Sequence, residues 1–124
     1  MKKITLIIST LILAVVFCAC SSSSSPKAVV NDYYKALKNG DFEKAMTYTT
    51  LTDEAEIQQN VKKMQDFKFQ VTDYEILSEE IAEDGENATV DVKYTASNAF
   101  KETPEEQNET VKLVKVDGKW KIKE

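Results

Sequence analysis

The sequence contains no histidine. Histidine is the side chain that titrates nearest to neutral pH, and it is the commonest metal ligand among the side chains. It also serves as the base in Ser-His and Cys-His catalytic pairs. The absence of histidine therefore excludes these nucleophilic pairs and every metal site that depends on an imidazole.

Glycine is scarce, with three residues in a chain of 124. Gly40, Gly85 and Gly118 each lie at a predicted turn or helix end, so the sequence has no glycine-rich loop for a phosphate group. An EF-hand needs a glycine between calcium ligands at fixed positions, and that pattern is also missing. We therefore predict no metal site and no cofactor. One cluster of acidic residues consists of Glu102, Glu105, Glu106 and Glu109. We interpret this cluster as part of a solvated loop.

Cysteine occurs twice, at positions 18 and 20, directly after an N-terminal apolar segment. Two lysines precede this segment, which runs from residue 4 to residue 17. It is shorter than the roughly 20 residues that a membrane-spanning helix needs. A basic start, an apolar run and small residues before a cut are typical of an export signal. We therefore predict a signal peptide over residues 1–19.

The residues at the predicted cleavage point, Phe17-Cys18-Ala19-Cys20, resemble the lipobox of bacterial lipoprotein signals. The resemblance implies cleavage before Cys20 and a diacylglyceryl thioether, with palmitate-like chains, on its sulfur. Two or more acyl chains anchor a protein stably. The serine run over residues 21–25 favours this interpretation over an ordinary secretory signal, because serine-rich segments form flexible tethers. We expect a bacterial cell-envelope protein that is held on the membrane by the lipid on Cys20, with its domain facing the periplasm or the exterior.

The net charge of the chain is −5, and removal of the two signal-peptide lysines makes it −7. An acidic surface disfavours nucleic acids and anionic membrane surfaces as partners. Because the Cys20 thiol is alkylated in this interpretation, no cysteine remains for a disulfide. We divide the chain into a signal peptide (1–19), a lipidated cysteine with a tether (20–25) and one folded domain (26–124).

Residues 26–66 have the pattern of two or three short helices. Ser25 stands directly before a proline, and this pair is typical of a helix start. Apolar residues then recur at helical spacing until Gly40, where the glycine indicates a helix end. Asp41 and Asp53 predict the caps of the next two helices.

The second half of the domain alternates apolar and polar residues, as half-buried strands do. We expect a bulge near Thr72–Asp73, where the alternation changes parity, and a polar loop over residues 97–108. Asp117-Gly118 is typical of a two-residue hairpin turn. The four predicted strands cover residues 67–76, 88–96, 111–116 and 119–123. Helices followed by an antiparallel meander predict an α+β fold, with the helices packed on one face of a curved four-stranded sheet.

Two segments of this domain resemble a known family. The junction Gly40-Asp41-Phe42-Glu43-Lys44-Ala45 and the hairpin Val111–Ile122 are similar to those of small bacterial lipoproteins of a domain-of-unknown-function family. That family belongs to the nuclear transport factor 2-like, or cystatin-like, superfamily, and the resemblance implies that sheet and helices form a cone. Related folds include dehydratases, isomerases, ligand-binding proteins and protein-interaction modules, so the fold alone does not select a function.

Aromatic residues are the best candidates for a binding site at the mouth of this cone. Each has a flat apolar face, and most have a polar tip. Their spacing also fits ordinary core and rim positions, which is the interpretation that we favour, and we predict that Trp120 is buried between the sheet and the helices. The candidate set is Tyr33, Tyr34, Tyr48, Tyr74, Tyr94 and Trp120.

We expect a non-catalytic domain that binds a small ligand or an envelope protein. Enzymes of the superfamily resemble one another in an Asp/His or a Tyr/Asp pair, and only the second is compatible with this composition. An enzyme of the dehydratase or isomerase type is therefore one alternative, and a structural or inhibitor-like interaction module is another. We predict no catalytic residue and no strongly shifted pKa inside a pocket. Asp66 and Asp73 are the carboxylates that caps and polar faces explain least.

The anchor generates the first testable prediction. Cys20→Ala should move the protein from the membrane fraction to the soluble or precursor pool, because it removes the sulfur that accepts the lipid. Detergent partition of the wild-type and variant proteins measures this. Cys18→Ala is the matched control and should stay with the membrane. Membrane retention of the Cys20→Ala protein would contradict the lipoprotein interpretation.

Overall fold

The computed structural model describes residues 25–124, so the predicted signal peptide and Cys20 lie outside the described residues. Three helices precede four strands. They are α1 (Pro26–Lys38), α2 (Phe42–Met46), α3 (Glu54–Asp66), β1 (Gln70–Ile81), β2 (Asn87–Ser97), β3 (Glu105–Val116) and β4 (Lys119–Ile122). The strands form one antiparallel sheet in the order β1-β2-β3-β4, which confirms the predicted α+β class. None of the three helices is long and apolar enough to cross a membrane.

The predicted helix caps are present. The Ser25 hydroxyl accepts a hydrogen bond from the Ala28 amide at 3.1 Å, and Pro26 occupies the first turn, where a missing N–H does no harm. Gly40 follows the end of α1 with φ of +77°, a conformation that favours glycine. Asp41 caps α2, and Asp53 caps α3. Local side-chain chemistry therefore defines where each helix begins.

The core lies between α1 and one face of the sheet. From α1, Val30, Tyr34 and Leu37 are at most 3% exposed. Alternate residues of the strands meet them, and the most deeply buried are Val71, Val90, Val92 and Leu113. The chain after α2 pairs with β4 on its outer side, since Ile122 N donates to the Tyr48 carbonyl at 2.8 Å. This segment covers the outer edge of β4.

The start of the first strand differs from the prediction. The sequence predicts a strand from Phe67, but α3 continues to Asp66, and Phe67 is its C-cap. Lys68 then adopts a left-handed conformation with φ of 56°, and β1 begins at Gln70. The Phe67 amide donates a hydrogen bond to the Lys63 carbonyl at 2.9 Å. The helical hydrogen bonds therefore continue into the residues whose apolar alternation predicted a strand.

The bulge expected near Thr72–Asp73 is confirmed, because the register of β1 against β2 shifts between Val71 and Asp73. A second shift, between Ile76 and Ser78, was not predicted. Irregularities of this kind bend the strand that carries them and increase its twist.

The predicted loop over residues 97–108 is wrong at its two ends, because Ser97 still belongs to β2 and residues 105–108 belong to β3. β3 begins at Glu105, and residues 105–110 pair with residues 91–96 of β2. All six of these β3 residues are exposed, so the segment has no apolar alternation. Backbone hydrogen bonds do not depend on side-chain polarity, which is why the pattern failed to predict this part of the strand.

The core generates the second prediction. Trp120 is 7% exposed and belongs to the core, which confirms its predicted burial. Trp120→Ala should lower the free energy of unfolding by about 3–5 kcal/mol, because it leaves a large cavity. Val116→Ala in the same hairpin is the control, since Val116 is 42% exposed and should cost less than about 1 kcal/mol. Urea denaturation measures both values. Equal losses in the two variants would contradict a core role for Trp120.

Candidate functional site

A cleft of about 660 Å³ opens between α1, α3 and the segment that enters β1. Its walls are mostly apolar, and its charged residues come from the last turn of α3. The cleft exists because α3 packs beside α2 and buries only Val61, so its last turn stands away from the sheet. The lining residues are Tyr33, Lys63, Met64, Asp66, Phe67 and Phe69.

The loop between β2 and β3 reaches the rim of this cleft. The Ala99 amide donates to the Phe67 carbonyl at 2.8 Å, and the Phe67 and Phe100 ring centres lie 5.3 Å apart. Asn98 holds the loop in shape by accepting two backbone hydrogen bonds through its side chain. Phe100 is nevertheless 82% exposed. An aromatic patch therefore borders the cleft on its open side.

Four of the predicted aromatic residues lie together beside the cleft. Tyr34 is the centre, with ring-centre distances of 5.3 Å to Tyr33, 5.8 Å to Tyr74 and 5.3 Å to Tyr94. Tyr74 and Tyr94 are neighbours because β1 and β2 pair them in register. Tyr33 belongs both to this cluster and to the cleft lining. It therefore links the cleft with the buried tyrosines.

The tyrosine cluster ends in a hydrogen bond to a carboxylate. The Tyr34 hydroxyl donates to Glu109 Oε1 at 2.7 Å, which joins α1 to β3. Burial raises the pKa of Tyr34, and the hydrogen bond to Glu109 raises it further. Tyr34 therefore stays protonated at neutral pH and acts as a donor.

Other titratable groups around Glu109 are also shifted. Burial, followed by the charges of Glu124 and Glu109, raises the pKa of Tyr33. Burial and the Glu109 charge likewise raise the pKa values of Tyr94 and of the Glu124 carboxyl. The prediction of no strongly shifted pKa inside a pocket is therefore wrong for Tyr33, because a buried phenol cannot easily become charged.

Glu109 is the residue that the sequence analysis missed. It was assigned, with Glu102, Glu105 and Glu106, to the acidic cluster that was interpreted as a solvated loop. Once β3 is known to begin before residue 109, the alternation of side chains along a strand identifies Glu109. Residues 109, 111 and 113 then lie on the same face of the strand. Val111 and Leu113 on that face are buried. The glutamates of the cluster also separate in the structure, since Lys101 pairs with Glu105 and Lys93 pairs with Glu106.

The remaining sequence candidates lie elsewhere. Tyr48 lines a polar pocket with residues of α1 and α2, and Trp120 is in the core with the Lys115 ammonium 5.3 Å from its ring centre. Asp66 lies at the cleft rim, where it pairs with Lys62 at 3.0 Å, and Asp73 is exposed at the first bulge of β1. Within residues 25–124, no group of three acidic side chains converges as metal ligands.

Neither aspartate forms the predicted alternative, a Tyr/Asp pair. Two tyrosine hydroxyls in the described part of the chain donate hydrogen bonds to side chains, Tyr34 to Glu109 and Tyr74 to Asn31 Oδ1 at 3.1 Å. The site therefore consists of a neutral tyrosine hydroxyl that is hydrogen-bonded to a glutamate, beside an apolar cleft.

Several solved structures share the fold. A proposed NTF2-like transpeptidase from Campylobacter jejuni is 22% identical with a TM-score of 0.52, over 82% of this chain and 99% of the other. A SEC-C motif containing protein from Rhodopseudomonas palustris is 17% identical with a TM-score of 0.58, over 82% and 79%. A proposed polyketide cyclase from Xanthomonas campestris is 12% identical with a TM-score of 0.51, over 80% and 89%. At these identities the likeness shows the fold alone, which is nuclear transport factor 2-like.

The family assignment comes from the sequence. No curated protein matches this chain. A family model described as "Domain of unknown function (DUF4878)" matches residues 16–123, which is nearly the whole chain. This confirms the resemblance to a domain-of-unknown-function family, and the chain belongs to the DUF4878 family.

Proposed function

We propose that this protein is a membrane-anchored lipoprotein of the cell envelope whose domain binds a small, largely apolar molecule without chemically changing it. The anchor is the lipid on Cys20, and the binding site is the cleft between α1, α3 and the start of β1. The observation that carries the proposal is the apolar cleft itself, with Tyr33 in its wall.

The size and the walls of the cleft support ligand binding. Small-molecule sites typically occupy about 300–1,000 Å³ and are lined mainly by apolar and aromatic side chains. The cleft has about 660 Å³, and Met64, Phe67 and Phe69 supply apolar surface that remains partly open to water. Covering such surface with an apolar ligand is favourable by roughly 25 cal/mol for each Å² removed from water. Lys63 and Asp66 at the rim leave room for a polar end group.

Tyr33 in the cleft wall supports recognition of a polar group as well. Tyr33 is neutral at physiological pH because burial raises its pKa. A neutral phenol both donates and accepts a hydrogen bond. The neighbouring Tyr34 hydroxyl is already committed to Glu109 at 2.7 Å. Tyr33 is therefore the tyrosine of the cluster that is placed to contact a ligand in the cleft.

The second candidate function is an enzyme of the dehydratase or isomerase type. The contact between Tyr34 and Glu109 favours it, because a phenol and a carboxylate are the groups that general acid–base chemistry uses. Two observations disfavour it. The raised pKa of Tyr34 keeps its proton on the oxygen, and that proton is donated to Glu109 and not toward the cleft. Binding is therefore the function that the geometry supports best.

Cleft binding is tested with the fluorescent apolar probe N-phenyl-1-naphthylamine. Met64→Arg places a charge in the cleft wall and should weaken probe binding by at least about tenfold, or 1.4 kcal/mol. Leu77→Arg is the matched control, since Leu77 is 50% exposed on β1 and is absent from the cleft lining. It should change binding by less than about twofold. Circular dichroism confirms that both variants fold.

Two results would count against the cleft. Equal binding by the Met64→Arg and Leu77→Arg proteins would place the probe elsewhere on the surface. No binding by the wild-type protein would favour the structural or inhibitor-like interaction module.

The tyrosine cluster generates a prediction about alkaline pH. Tyr33 and Tyr34 have raised pKa values in the folded state, whereas an unfolded tyrosine titrates near about 10. The folded protein therefore holds these protons more tightly. Their contribution to stability is complete below pH about 10 and is lost as the pH rises above it.

Tyr34→Phe should make the free energy of unfolding less dependent on pH above pH about 10. The reason is that the folded and unfolded states of the variant differ by about one bound proton fewer than those of the wild type. Urea denaturation at several pH values measures this slope, and Tyr48→Phe is the control outside the cluster. Ultraviolet absorbance reports tyrosine ionisation directly. A tyrosine of the cluster that ionises near neutral pH would contradict the binding proposal and favour the enzyme.

A further inference from the structure

The edge of β3 is only partly covered. β3 has 12 residues, and β4 pairs with the last four, from Leu113 opposite Ile122 to Val116 opposite Lys119. Residues 105–110 have β2 on one side. On the other side, no strand within residues 25–124 pairs with them.

Hydrogen-bond alternation shows which backbone groups this open edge presents. Successive residues of an antiparallel strand direct their N–H and C=O groups alternately to the two neighbouring strands. The Lys112 carbonyl accepts from Lys123 N at 2.8 Å on the β4 side, and Lys115 N donates to Glu86 O at 2.9 Å on the β2 side. Even-numbered residues of β3 therefore face the β4 side. The residues whose backbone groups point beyond the end of β4 are Glu106, Asn108 and Thr110.

This open edge carries negative charge on both faces of the sheet. Glu105 and Glu109 lie on the face that α1 covers further along the strand, and Glu106 lies on the opposite face. Glu105 pairs with Lys101 at 3.2 Å, and Glu106 pairs with Lys93 at 3.8 Å. Both glutamate side chains and that of Lys101 are at least half exposed. Exposed pairs of this kind contribute little and exchange partners readily.

The covered part of the same edge shows the kind of strand that already pairs with β3. β4 alternates lysines with Trp120 and Ile122, and its lysines are Lys119 and Lys121, followed by Lys123. A basic, alternating strand therefore pairs with β3 within this chain. The acidic half of the edge lies immediately beyond the point where that basic strand stops.

We infer that residues 105–110 of β3 bind an extended, basic segment of a partner protein as a fifth strand of the sheet. Backbone groups of Glu106, Asn108 and Thr110 form the ladder, as in other cases of strand addition. Lysine or arginine side chains of the segment lie opposite glutamates on either face. Cross-strand pairs of opposite charge are stabilising, whereas like charges are destabilising. Pairing with the same acidic edge of a second copy is therefore disfavoured.

The test uses the full lipidated chain in phosphatidylcholine nanodiscs, because this zwitterionic lipid does not itself attract a basic peptide. The probe is the dye-labelled peptide Thr-Lys-Val-Arg-Thr-Lys, and the matched control peptide has glutamate at the three basic positions. Fluorescence anisotropy measures affinity. Amide hydrogen exchange with residue resolution measures protection of Glu106, Asn108 and Thr110. We expect binding and new protection of these three amides with the basic peptide only.

Two protein variants separate the backbone contribution from the charge contribution. Asn108→Pro removes one N–H from the open edge, where proline is tolerated, and should weaken the basic peptide by at least about tenfold. Asn108→Ala keeps the N–H and should stay within about twofold of wild type. If Asn108→Pro fails to fold, the double variant Glu105→Gln with Glu106→Gln decides, and it should weaken binding and reduce its dependence on salt.

Several results would overturn the inference. They are the absence of peptide binding, equal binding of the acidic peptide, and unchanged affinity in both the proline and the double-glutamine variants. Protection of the three amides without peptide, together with a dimer in sedimentation, would assign the edge to a second copy. Met64→Arg should leave peptide binding unchanged, so failure of the cleft proposal and failure of this one are distinguishable.

Discussion

The packing of α1 against one face of the sheet is the contact on which the rest of the domain depends. Val30, Tyr34 and Leu37 are almost fully buried there, while α3 buries only Val61. Residues 25–124 contain no cysteine, so no disulfide supports this interface. Burial of apolar surface is therefore the main favourable contribution to folding. A change that shifts α1 is felt by every strand that contributes to the core.

The same helix contributes both to the core and to the candidate site. Tyr33 and Tyr34 are consecutive, so they point in different directions from α1: Tyr34 is in the core and bonds to Glu109, while Tyr33 lines the cleft. The opposite wall belongs to α3, which is attached to the rest of the domain mainly through α2. The cleft therefore has one wall that is packed firmly against the sheet and one wall that is packed lightly, and sparse packing of this kind is typical of regions with low local stability.

The glutamates of β3 have different roles although they are close in sequence. Glu109 accepts the Tyr34 hydrogen bond, Glu106 lies near Lys93 on the other face, and Glu105 pairs with Lys101. Together they make an unpaired edge polar and negatively charged. Charged side chains on an open edge discourage unspecific pairing with other strands. The edge is thereby chemically distinct from the apolar cleft.

The sequence by itself determined the features that depend on neighbouring residues. The caps at Ser25, Asp41 and Asp53, the hairpin turn before Lys119 and the alternation in β2 all rest on local chemistry, and the structure confirms each of them. Together with the order of helices and strands, they were enough to predict the α+β fold. The burial of Trp120 followed from alternation in the last strand.

Tertiary structure alone decided the features that depend on distant contacts. β3 extends through six exposed residues because β2 supplies their hydrogen bonds, and nothing in their side chains signals a strand. The partner of Tyr34 is 75 residues away in the chain, so no local pattern connects it with Glu109. The cleft likewise exists only because α3 ends at Asp66 and packs away from the sheet. Periodicity describes which face of an element is apolar, but it does not describe which elements meet, and the candidate site is made where they meet.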